Sequence, residues 1–210
     1  GSGSDGQADR VIDPNDFESE GLFNLHAVGD VNGDGADDLL ADLNTDTQEG
    51  EPQTLGIFFG GSPLPSTPGE TFQYPEGSFA GRTAAAPGDI NGDGVDDFVV
   101  GRPFFSDDKN AQGRADVYFG ESNPSFSSPD LTLRPEFLSS NIFGFSNGLA
   151  GGDFDGDGHG EIAVRPRFVS PNDDPRNVYI SIFEGGPDVD SEVDQRLRIP
   201  VETGVGEDSD

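Results

Sequence analysis

The string GDINGDGVDD, residues 88–97, sets four aspartates and one asparagine in ten positions, and it is one of three near copies. GDVNGDGADDLLAD at 29–42, GDINGDGVDDFVVG at 88–101 and GDFDGDGHGEIAVR at 152–165 align without a gap. Their first aspartates, Asp30, Asp89 and Asp153, stand 59 and 64 residues apart. Recurrence at such a period marks a tandem array, in which each repeat is one supersecondary unit that buries its apolar faces against its neighbours. Carboxylates crowded this closely also repel one another, so each copy needs something that neutralises it.

The flanking residues say what the unit is. After each acidic string comes a short apolar run, DLLAD, DFVVG or EIAVR. A second run rich in aromatics follows: LGIFFG at 55–60, ADVYFG at 115–120 and VYISIFEG at 178–185. Ahead of each string lies FNLHAVGD, GRTAAAPGD or SNGLAGGD. A fourth run alternates polar and apolar residues and closes on proline: ETFQYP (70–75), DLTLRP (130–135) and QRLRIP (195–200). Proline cannot donate to a ladder, so Pro75, Pro135 and Pro200 place these runs at outer edges. DRVIDP, ending at Pro14, has the same phase and reads as one extra outer strand at 9–14.

Four short strands per repeat, punctuated by 31 Gly and 16 Pro, exclude long helices and predict an all-β chain. Four-stranded antiparallel sheets in a radial array make a β-propeller, whose rings close with 4 to 8 blades. Three blades are expected, at about 15–75, 76–135 and 136–200 of a segment spanning 9–201. Three is too few to close comfortably. The open readings are a segment of a longer propeller, an oligomer that completes the ring, or a compact three-blade assembly. Residues 1–8 read as a cloning remnant or flexible linker, with any targeting segment removed ahead of them, and 202–210 as an acidic tail.

The acidic strings have the layout of a hard-cation site. Calcium takes six to eight oxygens at about 2.3–2.6 Å, and a tight loop supplies them from alternate side chains and one carbonyl when glycine permits the turn. In the first loop Asp30, Asn32, Asp34 and Asp38 occupy positions 1, 3, 5 and 9, and Ala36 offers its carbonyl from position 7. The second places Asp89, Asn91, Asp93, Val95 and Asp97 likewise, and the third Asp153, Asp155, Asp157, His159 and Glu161. The third departs in the longer Glu161 and in Gly160, which replaces the acid found at Asp37 and Asp96. About three calcium ions are expected, one per loop. Magnesium demands stricter octahedral geometry, and a chain with no cysteine offers soft metals little. An EF-hand needs a bidentate acid at position 12 and flanking helices, whereas position 12 here is Ala41, Val100 or Val164. The alternative is that NGDG is only a hairpin turn decorated with acids.

With 41 acidic against 11 basic residues, the formal net charge of −30 argues against nucleic acid and anionic membranes as partners. Near molar salt the Debye length falls to about 3 Å and the self-repulsion is screened, so a halophilic source fits, with an acidic secreted protein as the alternative. No apolar run is long enough to span a membrane.

GDINGDGVDDFVVGRP with the later ADVYFG resembles the FG-GAP repeat of integrin α-type β-propellers. Phe143-Gly144 matches the family's FG element, Phe79-Ala80-Gly81 is a loose version, and VGRP at 100–103 stands where the family has GAP. The first repeat, with GLFNL and LLADL, departs from both elements. The resemblance implies calcium in the hairpin between the first two strands of each blade, with partners bound on the opposite face. It points to a non-catalytic adhesion or binding module, extracellular or at the cell surface, whose partner is an unknown surface protein or glycan. The rival readings are a lectin-like module using Tyr74, Tyr118 or Phe104-Phe105, and the propeller part of a polysaccharide-active enzyme. His26 and His159 are the only histidines, and neither sits in a nucleophile motif.

Overall fold

The computed structural model describes residues 24–43, 52–106, 112–135, 142–166, 168–169 and 179–198. The expected linker at 1–8, the extra strand at 9–14 and the tail at 202–210 lie outside the described residues. Within them every regular element is a strand.

The first sheet contains β1 (Leu25–Gly29), β2 (Asp38–Asp42), β3 (Gln53–Phe58) and β4 (Glu70–Tyr74), hydrogen-bonded in that order. The second repeats the pattern with β5 (Thr83–Gly88), β6 (Asp97–Arg102), β7 (Arg114–Tyr118) and β8 (Leu131–Leu133). The third is built from β10 (Gly148–Gly152), β11 (Glu161–Arg165), β13 (Tyr179–Phe183) and β14 (Gln195–Arg198). All neighbours are antiparallel. The four runs read from each repeat are thus the four strands of one blade, and the proline-terminated runs lie outermost. A small pair that the sequence pattern did not announce, β9 (Ile142–Phe143) with β12 (Phe168–Val169), forms a separate two-stranded sheet.

The innermost strands β1, β5 and β10 pack on one another in sequence, so the blades stand side by side. Strand alternation then sends each central strand's residues to two different interfaces. In β6, Phe98 and Val100 join Leu40, Leu55, Ile57 and Phe72 of the first blade, while Val99 joins Ile162 and Val164 of the third. This is why β6 is buried along its whole length and reads as a continuous apolar run. Aromatic rings fill the first interface: Phe98 stacks on Tyr118 at 5.0 Å between centroids, and Phe126 meets Phe98 edge-on at 4.9 Å.

One polar group runs through this core. Arg102 is 1% exposed and donates from Nη1 to Asp116 at 3.2 Å and from Nη2 to Ser78 at 3.2 Å. Its guanidinium lies 4.0 Å from the Phe105 ring centre and 4.7 Å from that of Tyr74. Tyr74 and Tyr118 share a hydroxyl hydrogen bond of 2.5 Å. Burial lowers the pKa of Arg102, opposed by Asp116, and raises that of Tyr74. Residues considered for a sugar site, Tyr74, Tyr118 and Phe105, are therefore core and inter-strand packing.

Removing the carboxylate at Asp116 leaves Arg102 charged and buried without its counter-charge. Asp116→Ala is expected to cost about 3–5 kcal/mol of folding stability, measured by urea denaturation against the parent chain.

Candidate metal centre

Each acidic loop joins the first strand of a blade to the second, and its path is set by two glycines. Positions 4 and 6 are left-handed in all three copies: Gly33 and Gly35 (φ 71° and 93°), Gly92 and Gly94 (79° and 91°), Gly156 and Gly158 (84° and 98°). Side chains with a Cβ rarely adopt that conformation, which accounts for the repeated x-G-D-G.

The acids between them fold back onto the loop's own N–H groups. Asp30 accepts from Asp34 N at 2.9 Å and Gly35 N at 2.8 Å. Asp89 accepts from Gly92, Asp93 and Gly94 N at 2.7, 3.0 and 2.8 Å, and Asp153 from Gly156 and Gly158 N at 2.6 and 3.2 Å. Position 3 repeats a local turn, with Asn32, Asn91 and Asp155 accepting from the N–H two residues on at 2.8, 2.9 and 3.0 Å. Position 5 does the same toward Ala36, Val95 and His159 at 3.0, 2.9 and 2.8 Å. Each loop is thus wound around the carboxylates that accept its own N–H groups, and is exposed at its tip; the acids of the first two loops are not drawn together as those of the third are.

Position 9 separates the copies. Asp38 and Asp97 are each 0% exposed at the start of the outgoing strand. Asp38 accepts from Val31 N at 3.0 Å and Gly60 N at 2.6 Å; Asp97 accepts from Ile90, Asn91 and Gly120 N at 2.8, 3.3 and 2.8 Å. These carboxylates pin the loop's second residue to the end of the blade's third strand. Burial pushes the Asp38 carboxyl up to about 6 and the Asp97 carboxyl up to about 7, against the backbone N–H groups that draw them down. In the third loop Glu161 accepts from Phe154 N at 2.5 Å, and burial likewise raises its pKa. Among the described residues, Asp153, Asp155, Asp157 and Glu161 form the acidic group whose ligand oxygens all lie within 4.8 Å of one another. Oxygens on opposite sides of a calcium ion stand about 4.6–5.2 Å apart, twice the bond length. The donor set and its size therefore fit a hard divalent cation, and the extra methylene of Glu161 keeps the position 9 acid within reach.

Position 8, outside the expected ligand set, turns out to connect the loops. Asp96 accepts from Asp30 N at 3.0 Å and donates its own N–H to the Asp30 carbonyl at 3.3 Å. Gly160 N donates to the Asp89 carbonyl at 2.9 Å. A Cβ at Gly160 would lie 2.3 Å from the Pro87 carbonyl oxygen, which explains why an acid is absent there. The signal in the sequence was the doubled DD at 37–38 and 96–97, whose two members have different duties. His159 lies against Gly92 of the preceding loop, where an added Cβ would stand 2.8 Å from its ring. His26 Nε2 bonds to the Gly81 carbonyl at 3.0 Å. Both histidines sit at packing contacts between blades.

Residues 81–118 match the FG-GAP repeat family. The chain is 33% identical over 146 residues to integrin alpha-5 of Xenopus laevis, covering 64% of this chain and 14% of that protein. It is 32% identical over 108 residues to integrin alpha-PS2 of Drosophila melanogaster, covering 49% and 7%. Integrin alpha pat-2 of Caenorhabditis briggsae is 33% identical over 164 residues, covering 66% and 12%. The chain thus spans a seventh or less of the length of these relatives.

Asp97→Ala in chelator-treated protein deprives three backbone N–H groups of their acceptor. It is expected to cost about 3 kcal/mol or more, at about 1–3 kcal/mol per orphaned donor. Asp93→Ala, at the exposed tip, is expected to cost much less under the same conditions. Parallel urea denaturation curves measure the difference.

Proposed function

We propose that this chain, which belongs to the FG-GAP repeat family of integrin α type, is a calcium-stabilised, non-catalytic binding module. Its three four-stranded sheets are FG-GAP-type propeller blades, at about 15–75, 76–135 and 136–200. The observation that carries the calcium reading is the convergence of four carboxylates in the third loop, on a backbone path shared by all three. Asp153, Asp155, Asp157 and Glu161, with the carbonyl of His159, would hold one ion. Asp30, Asn32, Asp34 and Ala36, and Asp89, Asn91, Asp93 and Val95, would hold two more, with Asp38 and Asp97 serving at the base of those loops. The ion supplies charge neutralisation. The chain's own residues supply a prewound loop whose amides already hold the position 1 carboxylate.

The binding role rests on the family and on the chemistry left over. Both histidines are engaged in packing, and the net charge of −30 favours a surface exposed to high salt, as on a halophilic cell or a secreted protein. The partner is a surface protein or glycan. Among the described residues no helix is long and apolar enough to cross a membrane.

Calcium titration at constant ionic strength tests the metal reading. External modules of this kind have dissociation constants of about 10⁻⁴–10⁻³ M. At about 100 times that constant each filled site adds about 2.7 kcal/mol, and Tm rises by about 2–4 °C per kcal/mol in a chain of this size. Glu161→Gln and Asp155→Asn are expected to remove the third site's share of the rise. No calcium-dependent rise in the parent chain counts against the proposal.

A further inference from the structure

Hydrogen-bonded peptides connect each acidic loop to the base of the loop before it. The peptide that carries a loop's position 7 carbonyl also carries its position 8 N–H, and that N–H reaches the preceding blade. Asp96 N, in the peptide of the Val95 carbonyl, donates to the Asp30 carbonyl at 3.3 Å. The Asp30 carbonyl shares its peptide with Val31 N, which donates to the Asp38 carboxylate at 3.0 Å. The next interface repeats the chain: Gly160 N, in the peptide of the His159 carbonyl, donates to the Asp89 carbonyl at 2.9 Å, and Ile90 N to the Asp97 carboxylate at 2.8 Å. A parallel thread enters one residue later, from Gly186 N to the Ile90 carbonyl at 2.6 Å and from Asn91 N to the same Asp97 carboxylate at 3.3 Å. Asp38 and Asp97, where these threads end, are fully buried.

The C=O and N–H of one peptide polarise together, and hydrogen bonds in a chain strengthen one another. A position 7 carbonyl engaged by a cation thus makes its own peptide's N–H a stronger donor to the preceding loop. That loop's position 1 peptide in turn donates more strongly to its position 9 carboxylate, and the loop is held more firmly in its wound form. Through space the charges act the other way, because a filled site lowers the negative potential that draws a cation to its neighbours.

We propose, on the strength of the calcium reading, that the sites of successive blades fill cooperatively through these shared peptides, with Asp96 as the positioning residue for the first loop. Asp96 holds the position 1 residue on both sides: its N–H bonds the Asp30 carbonyl, and its carboxylate accepts from Asp30 N at 3.0 Å. A Cβ on Gly29 would collide with that carboxylate, so the contact is close. Gly160 has no side chain with which to do the same for Asp89.

Amide NMR during calcium titration tests the coupling loop by loop. Gly35, Gly94 and Gly158 each donate to the position 1 carboxylate of their own loop and serve as its reporter. In about 1 M NaCl, where the Debye length is about 3 Å, the through-space effect is screened. The three signals of the parent chain are expected to shift along curves steeper than independent filling gives. Glu161→Gln, which impairs the third site, is expected to raise the calcium needed to half-shift Gly94 by about fivefold or more, a usual size for coupled sites. Asp96→Ala is expected to do the same for Gly35, and to speed hydrogen exchange at the Asp30 amide in chelator-treated protein. Asp96→Asn, which keeps an oxygen acceptor without the charge, is expected to restore both. Independent or anticooperative filling in the parent chain, an unmoved Gly94 curve in Glu161→Gln, or an Asn variant that behaves as the Ala variant overturns the proposal and leaves calcium binding standing. No calcium-dependent shift at all overturns both. If Asp96→Ala loses the dispersed spectrum of a folded chain, the Glu161→Gln titration decides alone.

Discussion

The arrangement rests on a buried carboxylate that accepts backbone N–H groups from two parts of a blade at once. Asp97 takes those of Ile90 and Asn91 on the loop and Gly120 beyond β7, and Asp38 does the same with Val31 and Gly60. A buried charge is costly unless fully hydrogen-bonded, and these acids are tolerated because their donors are fixed by the sheet. The loop is thereby held at a set height above the strands. From that height its position 1 carbonyl meets the next loop.

The blades are joined by two layers of different chemistry. Beneath the loops runs an apolar layer, in which alternate residues of the central strands serve the interfaces on either side. It supplies most of the adhesive energy but tolerates sliding, because apolar contacts are not directional. The loop-to-loop hydrogen bonds at positions 1, 2 and 8 fix the register that the apolar layer leaves loose. The Arg102, Asp116 and Ser78 group adds a second fixed point on the far side of the same interface.

The surface charge fits this division. Carboxylates at the loop tips repel across the array, and only a bound cation or dense salt relieves them. The base acids sit apart from the tips, buried and held by backbone N–H groups of their own blade. Stability of the interior and occupancy of the tips are thus separable properties of one short string.

Much of this was legible along the chain. The three acidic strings, the two glycines in each, the four runs per repeat and the proline at each outer edge are local signals. They act within a few residues through turn geometry, strand alternation and the missing N–H of proline, so one repeat is enough to read them. What could not be read was the direction each acid faces. Asp96 and Asp97 are adjacent and chemically identical, yet Asp96 reaches toward the preceding blade and Asp97 is buried beneath its own, while in the first loop Asp37 is exposed and Asp38 buried. The sequence likewise offered no reason for Gly160, whose cause is the Pro87 carbonyl more than seventy residues earlier, nor for Arg102 as a core residue. Those assignments belong to tertiary structure because they depend on which groups the packing of one blade brings against the next, and a buried polar atom is placed by the partners available there.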